Sequence, residues 1–189
     1  MKNKMKTLAT LILIFSTFIS SAQTSLDIKV FEKINKYRDS LCLPKLEWDS
    51  CAYKASEYQS TYLKSANGLI SHNNPNKGYE SSSDRYKMFG GVSRKTKMIV
   101  KGEDVYYETS GEIINSVNKN LPNTTSYSDI EDILAIVIVN AWKSSKDHNK
   151  IMTKDIMKYA GCCSQVVTMK TDSNRWTHYK VYSTMFLSN

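Results

Sequence analysis

Histidine is scarce in this chain, three in 189 residues, so each position carries information. His72 follows Ser71 in a polar stretch, and His148 closes the run Trp142-Lys143-Ser144-Ser145-Lys146-Asp147-His148. His178 alternates with Trp176, Lys180 and Tyr182, the spacing of one face of a strand, and is read as a surface residue without special chemistry. Neutral imidazole suits both a divalent metal ion and proton transfer near neutral pH. Ser71, Ser144 and Ser145 stand beside the first two histidines as hydroxyls that a base would activate, but no Gly-x-Ser-x-Gly elbow frames them. Four cysteines complete the reactive set: Cys42, Cys51, Cys162 and Cys163. None of them has the C-x-x-C spacing of a zinc site.

The elements that must position these groups are visible as periodicity. Leu26, Val30, Ile34 and Tyr37 recur at helical spacing, and Leu43-Pro44 stops that helix. A second helix is expected from Asp49 or Ser50, with Ala52, Ala55, Tyr58 and Tyr62 as its stripe and Gly68 at its exit. Ser71 to about Lys101 reads as a long polar loop with room for short turns of helix, a candidate wall of a cleft. Ser128-Asp129-Ile130-Glu131 has the form of a capping box and opens a third helix through Ile133, Leu134, Val137 and Ala141. Tyr159 to Met169 and Trp176 to Leu187 read as an antiparallel hairpin turning at Thr171-Asp172-Ser173-Asn174.

Residues 1–22 read as a secretory signal peptide. Lys2, Lys4 and Lys6 precede an apolar run from Leu8 to Ile19, and Ser20-Ser21-Ala22 offers a cleavage site. Residues 23–189 then form a single domain, secreted or periplasmic, with no further apolar run long enough to span a bilayer. The formal net charge of +8 includes those three leader lysines. The rest is spread along the chain, with no motif for nucleic acid. An oxidising destination makes disulfides plausible, and adjacent Cys162 and Cys163 close badly on each other. At least one bridge is therefore expected from them to Cys42 or Cys51.

The landmarks fall in a fixed order: Arg38 in the opening helix, Leu43-Pro44-Lys45-Leu46-Glu47-Trp48, Ser71-His72, Asp84-Arg85, Gly111-Glu112-Ile113-Ile114, Trp142 with Ser145 and His148, and Gly161. That order resembles the CAP superfamily of cysteine-rich secretory proteins, antigen 5 and plant pathogenesis-related proteins, particularly its exported bacterial members. Ile113 replaces the usual Asn of the Gly-Glu-Asn-Ile motif. Gly102-Glu103-Asp104-Val105 is a competing alignment, and Glu112 is preferred because Ile114 then takes the aliphatic position. Ser145 stands where animal and plant members carry a second acid, which leaves a triad.

The resemblance implies an α+β fold, a three-layer α-β-α sandwich with a central antiparallel sheet. Early helices and a late hairpin agree with it. It also implies that His72, Glu112, Ser145 and His148 line a cleft. Two imidazoles and a carboxylate, His72, His148 and Glu112, suit Zn2+ or another divalent cation with a position open for ligand. The preferred function is a secreted binding protein for a lipid, a glycan or a protein. A metal- or serine-dependent hydrolase and a purely structural envelope protein are the alternatives.

Overall fold

The computed structural model describes residues 24–66, 69–93, 95–101, 103–170 and 175–189. The leader and the turn at 171–174 lie outside them. Helix α1 (Ser25–Ser40) begins in a capping box: the Thr24 hydroxyl accepts from Asp27 N, and the Asp27 carboxylate accepts from Thr24 N. Leu26, Val30 and Ile34 form its buried stripe, as the spacing predicts. Strand β1 (Glu47–Trp48) leads into α2 (Ser50–Ser65), capped by Asp49. Then follow α3 (Ser82–Met88), β2 (Lys95–Val100), β3 (Glu103–Glu108) and β4 (Ser110–Pro122). Helices α4 (Tyr127–Ser144) and α5 (Lys146–Met152) precede the long strands β5 (Tyr159–Lys170) and β6 (Trp176–Ser188).

The main sheet has the order β1-β5-β6-β4, and β2 pairs with β3 separately. Contact β5–β6 is antiparallel as expected and β6–β4 is antiparallel too, but β1 runs parallel to β5, so the sheet is mixed. Side chains alternate across it. Ile113, Cys162 and Met185 pack on Val30, Ile34, Leu134, Ile138 and Trp142 of α1 and α4. Ile114 and Tyr182 pack on Leu63 of α2, while Phe186 meets Ala52, Ala55 and Tyr86. The three-layer α-β-α arrangement follows from these two apolar faces.

Three sequence expectations are corrected. The segment from Ser71 to Lys101 carries the short helix it was expected to allow, α3, but it ends in a strand, β2, that was not expected. The cap of α4 is Ser126, whose hydroxyl accepts from Asp129 N; Ser128 instead accepts from Lys29 Nζ. The third concerns sulfur. All four cysteines are free, so the expected bridge is not formed. Neighbouring strand residues face opposite ways, and this separates the pair. Cys162 lies in the α1–α4 core with its thiol donating to Asp27 O at 3.4 Å, and Cys163 points to the α2 side. Burial raises both thiols, Cys163 to about 12, which leaves them protonated and inert. Cys42 sits exposed just beyond α1, at a positive φ of 57°.

Asp27 is fully buried between α1 and β5, where Ser164 N donates to it at 2.8 Å. Desolvation raises its pKa to about 6, against the opposing hydrogen bonds from Thr24 and Ser164. The folded protein therefore binds this proton more tightly than the unfolded chain does. Stability should fall as pH rises from about 4 to about 6, by about 3 kcal/mol from this group. Urea unfolding of wild type and Asp27→Asn across pH 4–7 isolates the effect as a difference curve. A flat difference would refute it.

Candidate functional site

His72 is carried on a loop that two buried side chains clamp. Gln59 of α2 donates to Ser71 O at 2.7 Å and accepts from Asn74 Nδ2 at 3.2 Å. Arg85 of α3 donates to His72 O at 3.2 Å, to Tyr79 O at 2.9 Å and to Glu80 O at 3.3 Å. Both side chains are wholly buried, so the loop's backbone is held from below. The imidazole itself remains 53% exposed.

His148 arrives from the other layer. Ser145 ends α4 and caps α5, its hydroxyl accepting from His148 N at 3.5 Å. The Ser145-to-His148 spacing is thus that of a helix cap and the third residue after it. Trp142, fully buried, pins the end of α4 to the core. Burial lowers the His148 pKa, a charge on His72 lowers it further, and Asp147 opposes both. His148 therefore stays neutral, with a lone pair to offer, at lower pH than an exposed imidazole would.

Strand β4 is the edge of the sheet, and both layers reach it there. Gly111 faces α5, where a Cβ would stand 2.7 Å from Ile151 Cγ2, so its bareness lets α5 dock. Glu112 faces the opposite side, in register with Phe186 and Gly161. Its carboxylate is divided: Oε1 accepts from Arg85 Nη2 at 2.5 Å and Oε2 lies 2.9 Å from His72 Nδ1. The rings of His72 and His148 stand 6.5 Å apart between centroids, inclined at 65°.

The structure thus brings His72, Glu112 and His148 together, with Ser145 as the cap beneath His148. Glu112 supports His72 from behind. Among the described residues, no group of three His, Cys, Asp or Glu is arranged to hold a metal ion. The Glu112 side chain is buried behind the half-exposed His72 ring. Glu103 is exposed on β3, opposite Val100, and belongs to the separate hairpin, so the competing alignment is not the cleft carboxylate. His178 lies on β6 and bonds Asn120 Oδ1 through Nδ1.

Sequence reasoning gave no role to Arg85 or Gln59. Arg85 stood in the sequence only as a landmark of the resemblance and Gln59 only as a helix residue, and their burial reveals the clamps.

The family model described as CAP, cysteine-rich secretory protein family, matches residues 31–182. No curated protein matches the chain in sequence. Among solved structures, an extracellular protein containing a SCP domain from Bacillus anthracis str. Ames is 17% identical with a TM-score of 0.53. That match covers 82% of this chain and 39% of the Bacillus protein, so this chain spans well under half of that relative. An outer surface protein from Borrelia burgdorferi is 18% identical with a TM-score of 0.52, covering 88% of this chain and 95% of that one. At such identities the likeness is one of fold.

Proposed function

The chain belongs to the CAP, cysteine-rich secretory protein family, and from that premise we propose that it is an exported binding protein whose cleft holds a divalent metal ion between His72 and His148. One observation carries the proposal: Glu112 Oε2 lies 2.9 Å from His72 Nδ1, beside a second imidazole. A carboxylate behind a histidine is the usual outer support of a metal-ligating imidazole. It accepts a hydrogen bond from Nδ1–H and leaves Nε2 as the donor atom. Both rings supply nitrogen of the kind zinc takes and His148 resists protonation, so the pair would give two of the three or four protein ligands of a usual zinc site. Zn2+ would supply a Lewis-acidic anchor for an oxygen or nitrogen of the bound ligand.

Export is proposed from the leader and from structural relatives that are an extracellular and an outer surface protein. Among the described residues no helix is long and apolar enough to cross a membrane. The hydrolase reading is less well supported. The Ser71 hydroxyl accepts from Asn73 N, that of Ser144 donates to Asn140 O, and that of Ser145 caps α5. None is presented to an imidazole as a nucleophile would be.

Zinc calorimetry on the protein from residue 23 onward tests the proposal. Uptake is expected at neutral pH and should weaken as protons compete for imidazole below about pH 6.5. His72→Ala or His148→Ala should abolish it, and Glu112→Gln should weaken it about 10–100-fold. His178→Ala and Glu103→Ala should leave it unchanged. Wild type that takes up no zinc would remove the metal from the proposal.

A separate observation favours a lipid ligand over a glycan or protein. A cavity of about 470 Å3 lies between α1, α4 and the sheet face turned away from Glu112, where apolar Leu26, Ile130 and Leu134 share the wall with polar Glu131, Gln165 and Thr168. A volume of that size with mixed walls suits a small amphipathic lipid, held at a site separate from the two histidines. Organic extraction of the purified protein followed by mass spectrometry should recover one. An extract matching the buffer blank would return the choice to glycan or protein.

A further inference from the structure

We infer that Arg85 is the positioning residue of the cleft: it fixes His72 in the Nδ1–H tautomer and so turns Nε2 outward as the free donor atom. The inference deepens the reading of this cleft as the ligand site, on which it rests, but its decisive measurement needs no metal. Arg85 is fully buried, and its guanidinium is a pure donor with a fixed planar fork. Nη2 bonds both Glu112 Oε1, at 2.5 Å, and the backbone oxygen of His72, at 3.2 Å. One nitrogen thereby locks the two partners that have to meet, although they lie far apart in sequence. Nη1 ties the same guanidinium to Tyr79 O and Glu80 O, so the fork cannot swing away from Glu112 without giving up the loop.

The chemistry follows from the division of the carboxylate. With Oε1 engaged by the cation, Glu112 faces His72 through Oε2 alone, at 2.9 Å from Nδ1. A carboxylate paired with guanidinium is an acceptor only, so a neutral His72 must carry its proton on Nδ1. The tautomer of an imidazole is set by the partner of one nitrogen, and here the partner is itself set by Arg85. An unsupported exposed histidine in water favours the opposite tautomer, with the proton on Nε2, which would block the donor atom. Arg85 thus removes the wrong tautomer before any ligand arrives. It touches no ligand itself.

Long-range proton–nitrogen NMR of the metal-free protein at mildly alkaline pH reads the tautomer directly. Wild type is expected to show His72 with a protonated Nδ1 and an unprotonated Nε2. In Arg85→Met, with folding checked by circular dichroism, His72 should shift to a majority of the Nε2–H form. Arg85→Lys keeps a charge but not the fork, so it should show a mixture and a zinc affinity about 10–100-fold lower. A wild-type His72 protonated mainly on Nε2 would overturn the inference. So would an Arg85→Lys tautomer ratio equal to that of wild type, which keeps the test decisive even if Arg85→Met does not fold. Absence of zinc uptake by wild type with the expected tautomers would sink only the metal proposal. Normal zinc uptake with unchanged tautomers would sink only this inference.

Discussion

Gly161→Ala should destabilise the protein by about 3 kcal/mol, the upper end for overpacking, read as a lowered urea midpoint or as loss of soluble protein. A Cβ at that position would stand 2.1 Å from Tyr53 N, 2.6 Å from Tyr53 Cα and 2.7 Å from Ala52 C. These are backbone atoms in the first turns of α2, so no side chain can rotate out of the way. Either the helix lifts from the sheet or β5 buckles. Lifting also breaks the bonds that run through Ser56, whose hydroxyl donates to Gly161 O at 2.7 Å and accepts from Phe186 N at 3.0 Å. Gly111→Ala provides the contrast, because the obstacle there is the movable tip of Ile151. A Gly161→Ala protein unfolding at the wild-type urea concentration would mean that the close approach of α2 to β5 is not required.

Arg38→Met should cost about 3–5 kcal/mol, the range for leaving buried polar partners without their charge, and lower Tm by roughly 10 °C. Arg38 is wholly buried near the end of α1. Its Nε donates to Pro44 O at 2.8 Å, Nη1 to Met152 O at 2.8 Å and Lys154 O at 3.0 Å, and Nη2 to Met157 O at 3.2 Å. One side chain thus satisfies four carbonyls in two segments: the exit of α1, and the passage from α5 to β5. Methionine fills similar volume but removes the donor from all four acceptors, of which Lys154 O keeps another, Met157 N at 3.3 Å. Arg38→Lys should recover little, since a single ammonium cannot span both segments. Because Met152 ends α5, His148 should also lose order, and zinc affinity should fall along with stability. A thermal scan unchanged from wild type would refute the role.

Much of this architecture was legible where one physical signal dominated. The helical stripe of Leu26, Val30 and Ile34, the Asp49 cap and the β5–β6 hairpin each followed from spacing or turn chemistry. The cleft was legible by resemblance rather than by pattern, because His72, Glu112 and His148 sit on three elements that only tertiary folding brings together. Strand β4 escaped notice for a different reason. At the sheet edge it alternates buried Ile113 and Ile114 with Asn115, Asn118, Lys119 and Asn120, so no clean period of two survives. The missed hairpin β2–β3 carries charge on both strands, with Lys97 paired to Asp104 at 2.8 Å, and so resembled loop composition. The cysteines misled because compartment and count say nothing about which way a side chain points.

Strand β6 has a consequence for how the chain is made. It is the last strand in chain order, yet it lies between β5 and β4 and supplies the ladder partners of both. Until the ribosome has emitted residues 176–188, β4 has no neighbour in the main sheet and the faces that bury α2, α1 and α4 are incomplete. A nascent chain can form helices, pair α1 with α4 and seat α2 on β5, but it cannot complete its core, since β4 and β5 both lack their shared partner until that segment arrives. The tetrad of Arg85, Glu112, His72 and His148 waits with it, because the strand that carries Glu112 joins the sheet through β6, with Phe186 opposite Glu112 in the ladder. The topology thus delays closure of the main sheet until residues 176–188 are available.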